Sequence, residues 1–222
     1  MRKDPLVNEQ YYHIINRSIA KYIIFNDDQD YLRIIELFDL CRFTEFLYKY
    51  SDYLELADQY RTHFVDRLKT TSPKLVEIVA YCIMPTHIHL ILKQNKENGI
   101  SKYMAKVFNS YTRYFNVRHQ RKGPLWEGKF KNILVGNDDQ MLHLTRYIHL
   151  NPTSASLVKK PEDWEFSSYY EYINNPKNSA ICDFKTIIDL NPKQYKNFVH
   201  DRIDYQKQLS LIKKLLLDEY GG

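Results

Sequence analysis

A chain of 222 residues, 44% hydrophobic and 27% charged, can bury one substantial core and has the composition of an ordinary soluble globular protein. No apolar run approaches bilayer length and Met1 to Glu9 contains no secretory h-region, so no membrane partner is expected and cytoplasmic residence is the default. Six glycines without a G-x-x-x-x-G-K-[ST] pattern set aside a phosphate loop, and three widely spaced cysteines set aside a disulfide framework or a thiolate zinc site.

Gln10 to Arg17 (QYYHIINR) alternates and is rich in β-formers, which predicts a strand. Asp27-Asp28 then open a helix with Tyr31, Ile34, Ile35, Phe38 and Cys41 on one stripe. Tyr48 to Ser72 is charged, tyrosine-rich and roughly helical, and reads as an insertion. Leu75 to Ile83 predicts a buried strand, Met84-Pro85-Thr86 a turn, and His87 to Lys93 (HIHLILK) a strictly alternating strand, so the pair forms an antiparallel hairpin. Ser101 to His119 is an amphipathic helix with Met104, Val107, Phe108, Tyr111, Tyr114 and Phe115 on its apolar side. Lys129 to Val135 predicts a fourth strand. A helix capped by Asn137, with acids in its first turn, is expected to run to Asn151 and stop at Pro152.

The order strand, helix, strand, strand, helix, strand predicts an α+β, ferredoxin-like split βαβ domain with an antiparallel sheet. Two helices would cover one face of that sheet and leave the other available. The expected organisation is one domain over residues 8–173, with a helical insertion at about 48–72, and a C-terminal helical extension over 174–222 with a helix from about Gln194 to Tyr220.

Charge is unevenly spread. Between Ser101 and Leu134 eight basic residues (Lys102, Lys106, Arg113, Arg118, Arg121, Lys122, Lys129, Lys131) face one acid, Glu127, so this segment carries +7 of a chain total of +5. Such a patch suits a polyanion, and a solvated helix face with a basic loop would account for it equally. The 19 tyrosines suit base stacking or core packing.

His87 and His89 lie two apart on a strand, so their imidazoles share a face while Ile88, Leu90 and Leu92 point the other way. Two imidazoles so placed can hold a divalent ion, and an incidental pair of strand histidines is the alternative. Tyr147 and Asn151 stack one helical turn apart, offering a nucleophile and an amide ligand, or an ordinary packed tyrosine and a C-terminal Asn. His149 points away from that row. Tyr111 and Tyr114 sit on an apolar stripe and read as core, and His13 and Glu77 have no assigned role.

His87-Ile88-His89, preceded by Tyr81-Cys82-Ile83-Met84-Pro85-Thr86, resembles the HUH motif of the single-tyrosine transposases. Gly123 to Phe130 (GPLWEGKF), Arg146 to Pro152 (RYIHLNP) and Trp164 to Tyr169 (WEFSSY) resemble the REP-associated branch of that group. The resemblance runs from about Tyr11 to Tyr172, with Tyr48 to Ser72 and the region after Asn174 outside its pattern. It implies metal ligation by His87 and His89, with Asn151 where related insertion-sequence enzymes carry Gln, and Mg²⁺ or Mn²⁺ as the ion. It further implies Tyr147 as the nucleophile of single-strand DNA cleavage and strand transfer, acting on hairpin-forming elements as a monomer or homodimer. DNA contacts are expected from Arg113, Arg118, Arg121, Lys122, Trp126, Lys129 and Lys131. The competing expectation is a non-catalytic DNA- or RNA-binding module on the same fold.

Overall fold

The computed structural model describes residues 5–174 and 180–208. Four strands, β1 (Tyr11–Arg17), β2 (Val76–Met84), β3 (His87–Gln94) and β4 (Lys131–Leu134), form one antiparallel sheet in the order β2-β3-β1-β4. Helices α1 (Asp28–Cys41) and α4 (Gly99–Arg118) follow β1 and β3, which gives the ferredoxin-like split βαβ topology. Between α1 and β2 lie α2 (Tyr50–Leu54) and α3 (Asp58–Thr71), and after β4 come α5 (Asp138–Ser154), α6 (Tyr169–Asn174) and α7 (Pro192–His200). The part of the expected C-terminal helix beyond residue 208 lies outside the described residues.

Alternation in HIHLILK sorts the sheet. Ile88, Leu90 and Leu92 are wholly buried on the side of α1 and α4, where Tyr81, the partner of Leu90 on β2, meets Phe38 of α1. The tight junction of β2 with α4 depends on Gly99, because a Cβ there would come within 2.3 Å of the Leu75 carbonyl oxygen.

The other face is not open as the sequence suggested. Helix α5 lies across β2 and β3, because Met141 and Ile148 form an apolar stripe that has to be covered. Helix α5 also continues past the expected stop to Ser154, with Pro152 buried inside it. The proline removes a single N–H, and the turn closes after it through Ala155 N–H donating to Asn151 O at 2.9 Å.

The edge of β2 is covered by the tail that carries WEFSSY. Ile83 N–H donates to Phe166 O (2.9 Å), Ser168 N–H to Tyr81 O (2.9 Å) and Asp183 N–H to Ile78 O (2.7 Å). An otherwise open edge is thereby protected from pairing with other chains.

Candidate active site

Antiparallel partners point to the same side, so the register assigns the side chains around the histidines. His87 pairs with Arg17 and Met84, and His89 with Ile15 and Cys82. His13, opposite Ile91, falls on this face as well. Its Nε2 lies 3.0 Å from His89 Nδ1, and the two rings stack at 5.2 Å. Thr86 Oγ1 lies 3.0 Å from His87 Nδ1. Helix α5 sets the ring of Tyr147 edge-on to both His89 (5.9 Å between centroids) and His13 (6.4 Å).

Burial makes these imidazoles poor bases. Desolvation lowers His13 and His87 to about 4 and holds His89 well below its ordinary range, with the neighbouring histidines and Arg17 acting in the same direction on His89. Near neutral pH all three are uncharged and retain the lone pair that a metal needs. Burial raises the Tyr147 phenol above its ordinary value, and the Arg17 charge opposes that rise. Tyr147 is nevertheless 41% exposed, so its ring is accessible while His89, at 4%, is enclosed.

The hold on α5 is strong. Asn137 caps its N-terminus through Gln140 N–H at 2.8 Å. At the C-terminal half, wholly buried His149 contacts Tyr195 Oη through Nδ1 and Ser168 Oγ through Nε2, each at 2.8 Å. Ser168 Oγ also meets the backbone of Tyr81, accepting from its N–H at 2.9 Å and reaching its carbonyl oxygen at 3.2 Å. The second serine of WEFSSY and the histidine of RYIHLNP thus lock the tyrosine helix to β2 and α7. Arg146 lies over the Phe198 ring at 4.1 Å, and Gln206 donates to Tyr147 O at 3.2 Å. His149→Ala should lower stability by about 3–5 kcal/mol, because it opens a cavity and removes two buried hydrogen bonds. Denaturant unfolding measures this, and a loss below about 1 kcal/mol would remove the lock from the account.

Asn151 is half-buried one turn beyond Tyr147, and its Nδ2 is buried without a hydrogen-bond partner. An amide can present either end, and this unsatisfied one lies on the same helical row as Tyr147, so Asn151 is a candidate ligand. No group of three or more His, Cys, Asp or Glu able to hold a metal occurs among the described residues. Two imidazoles and one amide around a divalent ion would leave positions for non-protein oxygens.

The basic segment divides in space. Lys131, opposite Ile15 on β4, shares the histidine face, and Lys122 and Lys129 are exposed in the loop before it. Arg118 is half-buried and ion-paired within the chain: its guanidinium bridges exposed Asp27 (2.7 Å) and wholly buried Asp30 (2.6 Å). Arg121 donates to Asn116 and to the Pro124 carbonyl. Trp126 is half-buried against Phe108, at 4.3 Å between centroids. Arg113 lines a cavity of about 770 Å³ between α1, α4 and the segment containing α2, on the side of the sheet away from Tyr147. Tyr111 is buried and donates to Ile24 O, and Tyr114 donates to Asp30 at 3.0 Å. Glu77 pairs with Lys93, toward the far end of β3.

His13 and Arg17 complete the face, and the sequence signal for both was thin. They sit at alternate positions of QYYHIINR with the spacing of same-face residues, but only the β1–β3 register brings them to the HxH pair.

Residues 53–151 match the family of IS200-like transposases. The matched span contains His87, His89, Tyr147 and Asn151, and it also includes residues 53–72 of the segment read as lying outside the family pattern. A Haemophilus influenzae protein named as a REP-associated tyrosine transposase is 31% identical over 104 residues, covering 42% of this chain and 59% of that relative. The chain thus spans about three-fifths of the length of this curated relative. A solved REP-associated tyrosine transposase bound to a REP hairpin superposes with a TM-score of 0.55 at 14% identity, covering 86% of this chain and 98% of that one. That likeness concerns the fold, and the transposase-like topology is the one described above. Among the described residues no helix is long and apolar enough to cross a membrane.

Proposed function

We propose that this transposase-like chain cleaves and rejoins single-stranded DNA at hairpin-forming elements through a covalent tyrosine intermediate. The observation that carries the reading is the placement of the accessible Tyr147 ring against the His13–His89 pair on the HxH face. His87 and His89, with the amide of Asn151, would hold a divalent ion, Mg²⁺ or Mn²⁺. Such an ion supplies electrophilic activation of a non-bridging phosphate oxygen.

The chain's own groups perform the remaining work. Tyr147 Oη attacks phosphorus, forming a 5′-phosphotyrosine as the P–O3′ bond breaks. The phenolic proton leaves to solvent and the departing 3′-oxygen takes one up, so no redox partner or nucleotide is needed. Arg17 lies on the same face and provides positive charge where the phosphate would sit. The ester energy is retained, so a 3′-hydroxyl of another strand can reverse the step. Helix α5, locked through His149, maintains the nucleophile's position.

The test is incubation with single-stranded hairpin DNA and Mg²⁺ or Mn²⁺, followed by a denaturing gel. A protein–DNA adduct is expected. Binding without adduct or cleavage would favour the non-catalytic module.

Lys122, Lys129 and Lys131 are the basic residues best placed to grip the strand. Replacing all three with Gln should lower the log–log salt slope of binding by about 2, at about 0.7 per lost single-strand phosphate contact. Binding isotherms at several salt concentrations measure it. An unchanged slope would mean that these lysines only solvate the surface.

A further inference from the structure

Both motif histidines have their Nδ1 atoms engaged by protein groups. His87 Nδ1 meets Thr86 Oγ1 at 3.0 Å, and His89 Nδ1 meets His13 Nε2 at 3.0 Å. His13 reaches across from β1, is only 7% exposed, and stacks on His89 with 21° between the ring planes.

A neutral imidazole carries one N–H and one lone pair. Two neutral rings in N···N contact share a single hydrogen, so two arrangements exist. If His13 donates, His89 keeps its hydrogen on Nε2 and has no lone pair there for a ligand. If His89 Nδ1–H donates, Nε2 of His89 is free, and His13 carries its own hydrogen on Nδ1. Only the second arrangement is competent for ligation through Nε2. At His87 the hydroxyl of Thr86 can accept Nδ1–H, with the same outcome.

We propose that His13 is a positioning residue that accepts the Nδ1 hydrogen of His89 and so, with Thr86 acting likewise on His87, directs two Nε2 lone pairs at one divalent cation. This rests on the metal-site reading above. Strand alternation places both rings on one face but leaves ring flips and tautomers free, and such outer partners remove that freedom. His13 is thus part of the reason that a plain HxH on a strand can act as a ligand pair.

Two measurements test it. Long-range ¹H–¹⁵N correlation of ¹⁵N-histidine-labelled, metal-free full chain should show His89 and His87 protonated at Nδ1, and His13 unprotonated at Nε2. Calorimetric titration with Mn²⁺ alone should show His13→Phe weakened by about 10- to 100-fold. His13→Gln, whose amide oxygen can accept the same hydrogen, should recover most of the affinity. Melting curves accompany both variants. If His13→Phe fails to fold, the wild-type tautomers and the Gln variant still decide the matter.

Unchanged Mn²⁺ affinity in folded His13→Phe, or a hydrogen on His89 Nε2 in the Mn²⁺-free protein, would overturn the proposal. The two readings fail differently. Mn²⁺ binding that His87→Ala abolishes but His13→Phe leaves intact sinks only the positioning role. Absence of Mn²⁺ binding in wild type sinks both.

Discussion

Tyr147→Phe is expected to abolish strand cleavage, by on the order of 10⁴-fold or more, while leaving folding and DNA affinity nearly unchanged. The substitution deletes one oxygen and keeps the ring that packs edge-on against His13 and His89. The Tyr147 side chain is 41% exposed, so losing the hydroxyl should strand no buried group. A phenyl ring cannot form a phosphodiester, so the adduct should vanish together with the cut. Activated water as the nucleophile predicts the reverse, with a Phe variant that still cuts and a wild type that forms no adduct. Peptide mapping of the trapped species separates these outcomes. An adduct on Tyr111 or Tyr114 would require the helix side of the sheet to open, since Tyr111 is wholly buried there and Tyr114 is hydrogen-bonded to buried Asp30.

His87→Ala and His89→Ala should both remove metal-dependent cleavage, but the two variants should differ in stability. Strand alternation alone suggests that either ring can be deleted without consequence for the fold, because both face away from α1 and α4. The packed structure changes that expectation for His89. It is 4% exposed beneath α5 and hydrogen-bonded to buried His13, so Ala leaves a cavity and an unpaired ring nitrogen. A loss of about 2–4 kcal/mol is expected there, against about 1 kcal/mol or less for the half-buried His87. Cleavage with Mg²⁺ or Mn²⁺ and thermal melting should be read together. Retained cleavage in either variant would remove that histidine from the metal site. Equal melting points for the two would contradict the burial difference.

Much of the architecture was legible because it is encoded locally. The period-2 pattern of HIHLILK both identifies a strand and puts His87 and His89 on one face. The four-residue spacing of Tyr147 and Asn151 likewise puts them on one helical row. The order of elements was sufficient for the split βαβ topology, since handedness and the avoidance of crossed connections leave few alternatives. The reading of α5 as ending at Pro152 was too strict. A proline near a helix end removes one N–H, and tertiary burial of Pro152 and Thr153 can outweigh that loss.

Arg118 shows the limit of charge counting. In sequence it belongs to a run of basic residues, and nothing nearby marks it as different. Its partners Asp27 and Asp30 come from the start of α1, so only the packing of α1 on α4 gives this arginine two carboxylate partners within the chain.

The sequence by itself determined which side chains share a face, because backbone geometry repeats every two residues in a strand and every 3.6 in a helix. It could not determine what lies against each face. That α5 covers the histidine side, that His13 and Arg17 stand beside the HxH pair, and that Ser168 and Tyr195 clamp His149 are all contacts between residues far apart in the chain. Such contacts follow from burying apolar surface over the whole domain, a non-directional effect that no local period records.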